Sequence, residues 1–410
     1  MIYNKTFLKL AKEYETPLFV YDAKVMEEQC KKIERAFSRY PKFKLFYPVK
    51  ANSNLHILNY FRKQILSADV SSPGDVYLAM KAGFKPREIS ATGPNWSNDD
   101  LSYLIENRIH LVLDSLSQIK RLATISSGRR IGLRINTGIS AGHINHLQMG
   151  GEKSKLGILV TNLDEVKKKV NQLGLEVVGL HMHIGSGCFQ TQPFIKSLKI
   201  LIKTAQEYFP QIEYLNLGGG LGVAFEPKTE RDFDIKKYAN QVYPLIKELN
   251  KKLGKTIEIQ LEPGEFLIWK AGYLLTQINT IKKNQNRIFV GVDTNTACLP
   301  GPFLYQSYHE IAPLVKRRAK REYKKVTICG NLCQAGDVFA WDRLLPSLEE
   351  GDFLVIKNAG AYCFSRSSTF NSRLRPAEVL VSSNKIKLIR RRETLNDLLL
   401  NQINISKRNI

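Results

Sequence analysis

Short apolar runs alternate with longer stretches of helical periodicity through most of the first two thirds of the chain. The runs at 45–51, 68–72, 89–93, 111–115, 131–136, 177–185, 214–220 and 257–264 read as strands. Between them, 55–66, 74–83, 98–107, 162–173, 192–208 and 232–253 repeat apolar residues at the spacing of amphipathic helices. Eight such units in about 220 residues suit a closed (β/α)8 barrel of the TIM type better than an open doubly wound sheet. In such barrels the chemistry collects at the C-terminal ends of the strands.

The period changes after residue 270. Segments 273–278, 288–292, 325–328, 352–356 and 377–381 read as strands joined by turns, without long helices between them. This predicts an α/β barrel followed by a C-terminal all-β domain. The run Pro17-Leu18-Phe19-Val20-Tyr21 is a strand the barrel does not need, so the boundaries expected are 25–268 for the barrel and 1–24 with 269–410 for the β domain.

Composition narrows the picture further. A chain of 410 residues, 43% of them hydrophobic, is long enough for two cores. No segment offers the roughly 20 uncharged apolar residues a membrane helix needs, so no membrane partner and a cytoplasmic location are expected. Cysteines 30, 188, 298, 329, 333 and 363 lack metal-ligand or disulfide-framework spacing and read as reduced thiols. The balance of 61 Lys+Arg to 38 Asp+Glu gives +23, densest at Lys316-Arg317-Arg318-Ala319-Lys320-Arg321. No nucleic-acid-binding signature accompanies that run, and lysine is spread along the whole chain with abundant Asn and Ile. Compositional bias accounts for the charge better than a nucleic-acid partner, with an anionic substrate as the other reading.

Lys50 ends the run Lys44-Leu45-Phe46-Tyr47-Pro48-Val49-Lys50. An amine at the mouth of an apolar core loses hydration, its pKa falls, and it can form a Schiff base with an aldehyde. Gly218-Gly219-Gly220 lets backbone approach a phosphate, and Ser186, within Gly185-Ser186-Gly187, offers a hydroxyl to the same group. His181 and His183 share a strand face at i+2; no further ligand lies at metal spacing, so no metal is expected. His183 reads as a ring that stacks on a cofactor, and His181 as a satisfied core histidine. Glu262, before Pro263-Gly264, can keep a pyridine nitrogen protonated. Asp69 and Arg134, in strand-like runs, can orient the lysine and a cofactor oxygen.

The ordered set Tyr47-Pro48-Val49-Lys50-Ala51-Asn52, His183-Ile184-Gly185-Ser186, Gly218-Gly219-Gly220, Glu262-Pro263-Gly264, Cys333 with Gly336-Asp337, Gly360-Ala361-Tyr362 and Arg375-Pro376-Ala377-Glu378-Val379-Leu380 resembles the pyridoxal-phosphate decarboxylases with an alanine-racemase-like barrel. Within them it most resembles the diaminopimelate decarboxylases, from about residue 15 to Thr394. The resemblance implies that Lys50 holds pyridoxal 5'-phosphate and that His183 stacks on its ring. It further implies that Ser186, Gly218, Gly219 and Gly220 hold the phosphate, that Gly264 belongs to the cofactor site, that Glu262 faces the pyridine nitrogen, and that Tyr362 closes the site. Cys333 would come from the second subunit of a head-to-tail homodimer to protonate the carbanion left by CO2, so that the β domain completes both active site and dimer.

Three departures bear on the substrate. The family carries Arg after Glu-Pro-Gly, where this chain has Glu265; Cys-Glu-Ser, where it has Cys333-Gln334-Ala335; and Arg-Pro shortly before a Tyr, where it has Leu299-Pro300-Gly301-Pro302 before Tyr305. Arginine is the side chain suited to gripping a carboxylate, so its loss at two places, with Glu265 gained, removes the family's clamp on a distal carboxylate. The expectation is an amine-tailed or aminocarboxypropyl-bearing conjugated substrate, selected by Glu265, Gln334 and Tyr305. The alternatives are meso-diaminopimelate itself and a non-enzymatic pyridoxal-phosphate carrier.

Overall fold

Strands Phe43–Pro48, Ser67–Val70, Ile89–Thr92, His110–Leu113, Arg130–Asn136, Glu176–His181, Tyr214–Asn216 and Glu258–Leu261 pair in parallel, each with the next and the last with the first. The result is a closed eight-strand barrel, as the alternation predicted. This computed structural model describes residues 4–64, 66–142, 149–226, 230–314, 322–383 and 385–403. The chain separates into a unit from Val25 to Trp269, which holds the barrel, and a second made of the chain up to Lys24 and from Lys270 onward.

The barrel strands are almost wholly buried, as parallel strands covered on both faces must be. Several helices between them open on an oxygen-bearing cap: Asn54, Ser72, Ser97, Ser115 and Asp234 each accept a first-turn backbone N–H. A cap of this kind contributes about 1 kcal/mol and fixes where the chain leaves the strand. Inside the barrel the Tyr214 ring crosses to strands five and six. A Cβ on Gly179 would lie 2.0 Å from that ring and one on Gly132 2.2 Å from its hydroxyl, so only glycine fits at either place. The hydroxyl lies 2.8 Å from His110 Nε2. This layer sits one strand period before His181 and Asn216 and supports them from within.

Four strands stop three or four residues earlier than the apolar runs suggested. They end at Pro48, His181, Asn216 and Leu261. Pro48 has no N–H for a further ladder bond, Gly218 adopts φ +69°, and Pro263 follows the eighth strand. The residues beyond these points, which include Lys50, His183, Gly218 and Glu262, therefore form the rim of the barrel. Helices Asn4–Glu13, Ala23–Phe37 and Leu116–Ile125 were not among those expected.

In the second unit, Leu18–Asp22 is buried between Gly272–Asn284, antiparallel to it, and Ala377–Ser382, parallel to it. Gly272–Asn284 also pairs with Phe353–Lys357 and Arg287–Val292, and Tyr323–Cys329 joins the latter to Val338–Pro346. Phe7, Leu10, Leu18, Val20, Leu275, Val355 and Val379 form a core on this sheet. The wholly buried Glu378 carboxylate accepts from Tyr21 Oη at 2.7 Å and from Arg390 Nε. The basic run Lys316–Arg321 lies outside the described residues. Among those described, no helix is long and apolar enough to cross a membrane.

Candidate active site

Lys50 lies on the 3-10 turn Val49–Ala51 that follows the first strand, and its Nζ donates to Asp69 Oδ2 at 2.9 Å. Register places Asp69 beside Pro48 on the neighbouring strand, which is why the two meet. The Lys50 side chain is 49% exposed and that of Asp69 1%. The amine is thus open and ion-paired, not the desolvated group its apolar run suggested. Burial, with the Glu262 charge behind it, pushes Asp69 up to about 7 against the pull of Lys50.

The opposite wall is a buried carboxylate in a fixed frame. Glu262, just past the eighth strand, accepts from Asn216 Nδ2 at 2.6 Å through one oxygen and from His181 Nε2 at 3.1 Å through the other. Burial alone would raise its pKa; the interaction with His181 first, and then the Lys50 charge and the Asn216 hydrogen bond, outweigh burial and hold it below the ordinary carboxylate value. His181 is itself pushed down by burial, so at neutral pH it is a neutral donor and not a cation. Its hydrogen bond, not a full charge, is what it offers Glu262. Its Nδ1 is buried without a partner. Arg134 stands level with His181 in strand register; burial lowers its pKa, opposed by Asp114, Glu262 and Asp69.

The glycines work chiefly by close approach. A Cβ on Gly218 would lie 2.2 Å from Met182 O, on Gly219 2.0 Å from Glu262 O, and on Gly220 1.8 Å from Gly185 O. Gly218 N–H donates to Asn216 Oδ1 at 2.8 Å and Gly219 N–H to His183 Nδ1 at 3.1 Å. Internal bonds therefore claim two of the three N–H groups expected to face a phosphate. Among the described residues, Gly220 N–H and the Ser186 hydroxyl remain without a partner. They belong to loops tied together by Cys188 N–H to Gly220 O at 2.9 Å and Gly222 N–H to Cys188 O at 2.8 Å. His183 lies beyond its strand, and burial together with the charges of Arg134 and Lys50 keeps it neutral.

Gly264 opens the short helix Gly264–Ile268 against the lysine turn; a Cβ there would meet Ala51 and Pro48 at 3.1 Å. The next residue, Glu265, is partly open at its surface, yet its Oε1 is buried without a partner and burial pushes the carboxyl up to about 7.

The β unit carries the remaining candidates. Cys333 is exposed, and its N–H donates to Asn371 Oδ1 at 2.9 Å. The buried Asp337 shapes its loop by accepting from Thr296 N–H and Oγ1 at 2.7 and 2.8 Å and from Leu332 N–H at 2.8 Å. Gln334 lies in the same loop, partly buried. Tyr362 has φ +56°, a conformation non-glycine residues adopt sparingly and often where function requires it. Tyr305 meets Arg366.

Sequence reasoning placed Lys50, Asp69, Arg134, His183, Gly218, Gly219, Gly220 and Glu262 on one rim, and the structure brings them together there. It missed His181 and Asn216, the two residues that hold Glu262. The signal was available: Asn216 and His181 each end a barrel strand and stand opposite one another in register.

Comparison with known proteins agrees with this geometry. Residues 24–268 match the family described as pyridoxal-dependent decarboxylase, pyridoxal binding domain. The chain is 40% identical over 402 residues to a diaminopimelate decarboxylase of Methanothermobacter thermautotrophicus, covering 96% of this chain and 93% of that one. It superposes on the diaminopimelate decarboxylase from M. jannaschii in co-complex with L-lysine with a TM-score of 0.89, at 30% identity and coverage of 97% and 94%. The Helicobacter pylori enzyme complexed with L-lysine gives a TM-score of 0.87 at 30% identity, covering 96% and 98%. The expectation of a conjugated or amine-tailed substrate finds no support in these matches, which favour the ordinary one.

Proposed function

The chain belongs to the pyridoxal-dependent decarboxylase family, and on that premise we propose that it releases CO2 from meso-diaminopimelate and leaves L-lysine. The observation that carries this reading is the likeness to diaminopimelate decarboxylases over almost the whole chain, both domains included. A non-enzymatic carrier would have no use for the Cys333 loop and its buried Asp337 clamp.

The residues present fit pyridoxal 5'-phosphate: an open amine at Lys50, a buried anionic carboxylate at Glu262, and a glycine cradle that any Cβ would fill. When bound, the cofactor supplies an aldehyde for an amine to engage and a ring that draws off the electron pair left as CO2 departs. Lys50 would hold it covalently, with Asp69 Oδ2 fixing the amine's direction and taking up its charge. Gly220 N–H and Ser186 Oγ would bind the phosphate. Glu262, kept ionised by His181 and Asn216, would hold a proton on the pyridine nitrogen. Arg134 would set the ring oxygen, His183 would cover a ring face, and Tyr362 would close the site. The Cys333 thiol, supplied by a second copy in a head-to-tail dimer, would deliver a proton to the substrate's α-carbon. Glu265, whose buried oxygen has no partner, would accept the substrate's distal ammonium.

Complementation tests the assignment. In a lysine-requiring bacterial strain that lacks diaminopimelate decarboxylase, expression of this chain restores growth without lysine, and the Lys50→Ala chain does not. Continued lysine dependence with soluble, cofactor-loaded protein present would reject the substrate.

A further inference from the structure

The arginines that grip a distal carboxylate in the resembling family are absent at residue 265 and before Tyr305, and the β unit holds another arginine in a suitable place. Arg366 ends the 3-10 turn Phe364–Arg366. Its guanidinium lies over the Tyr305 ring, 5.3 Å from the centroid, and its Nη1 donates to the Tyr305 hydroxyl. Tyr305 ends the helix Gly301–Tyr305, whose Phe303 ring is so close to Gly336 that a Cβ there would lie 2.7 Å from it. Gly336 shares its loop with Cys333, whose N–H reaches Asn371, a little beyond Arg366 in the chain. These contacts close a circuit and set Arg366, Tyr305 and Cys333 around one region of the β unit.

Charge is unbalanced there. Arg375, Arg390 and Arg391 are paired with Glu393, Glu378 and Asp397. Among the described residues Arg366 has no carboxylate partner, and Asp337 is turned inward to its own loop. A guanidinium seated on an aromatic ring and tied to a hydroxyl has already lost much of its rotamer freedom, so less is lost when it binds. Its fork matches a carboxylate, and a tyrosine hydroxyl can add a further donor.

We propose that Arg366, seated on Tyr305, takes the distal carboxylate of the substrate in place of the missing arginines. This rests on the reading that meso-diaminopimelate is the substrate. That molecule differs from its product, L-lysine, by the distal carboxylate alone, and the difference supplies the test. The KM for meso-diaminopimelate and the inhibition constant of L-lysine are measured on the cofactor-loaded wild type, Arg366→Met, Arg366→Lys and Tyr305→Phe. In Arg366→Met the KM rises about 10- to 100-fold while the lysine constant moves less than about threefold; Arg366→Lys falls between, and Tyr305→Phe shows a smaller rise of the same selective kind. An unchanged KM, or both constants rising together, overturns the assignment while wild-type turnover leaves the proposed substrate standing. A wild type that releases no CO2 from meso-diaminopimelate rejects the substrate and this assignment with it.

Discussion

His181 Nε2 lies 3.1 Å from Glu262 Oε2, a bond that spans from the end of the sixth barrel strand to the residue after the eighth. Asn216, on the strand between, holds the other oxygen. Because His181 is neutral, removing it takes away a hydrogen bond and leaves burial to push Glu262 upward. In His181→Ala the acid limb of the kcat/KM profile therefore moves to higher pH by about one unit or more, and the cofactor dissociation constant rises about tenfold. An unshifted acid limb would show that His181 has only a packing role.

Gly219 has no room for a side chain, since its Cβ would lie 2.0 Å from Glu262 O, while Gly74, on the helix Pro73–Lys81, would meet nothing nearer than Ser72 Oγ at 3.7 Å. Gly219→Ala should lower stability by about 1–3 kcal/mol and lose bound cofactor. Gly74→Ala should be neutral or slightly stabilising. Thermal melting with cofactor absorbance decides; equal effects at the two positions would contradict the cradle.

The barrel was legible because its strands are apolar runs at regular spacing, and the rim because Lys50, Gly218 and Glu262 each follow such a run. What the sequence hid is three-dimensional. His181 looked like a core histidine because its partner is 81 residues away, and only register across the closed sheet brings them level. Lys50 looked desolvated because its run is apolar, whereas Pro48 ends the strand and turns the amine outward to Asp69. Arg366 carried no signal at all, since its meaning depends on Tyr305, 61 residues distant.

Shared active sites predict rescue between two defective chains. Lys50→Ala and Cys333→Ala proteins are each expected to lose at least about 100-fold in turnover. If Cys333 serves the partner's barrel, a heterodimer rebuilds one intact site, and random subunit exchange should restore about a quarter of wild-type activity. A mixture no more active than its components would place Cys333 in its own chain's site, or outside the chemistry.

Acid should destabilise the β unit through His309. This imidazole is fully buried, donates from Nδ1 to Lys357 O at 2.9 Å, and burial pushes its pKa down to about 4. The unfolded chain takes up the proton near the ordinary value of 6.5, whereas the folded chain resists it until about 4. Stability from this group is therefore complete above 6.5 and is lost as pH falls through that window, to a total on the order of 3 kcal/mol. Melting temperatures between pH 7.5 and 4.5 should fall more steeply for wild type than for His309→Gln. Parallel slopes would show that other groups govern the acid limb.

The most direct measurement is product stoichiometry. Purified protein loaded with pyridoxal 5'-phosphate is given meso-diaminopimelate, with ornithine, arginine and carboxynorspermidine in parallel, and CO2 and amine products are counted. One CO2 and one L-lysine per meso-diaminopimelate consumed, with the other substrates turned over far more slowly, is the predicted result. No lysine from meso-diaminopimelate, together with rapid CO2 release from one of the others, would contradict it.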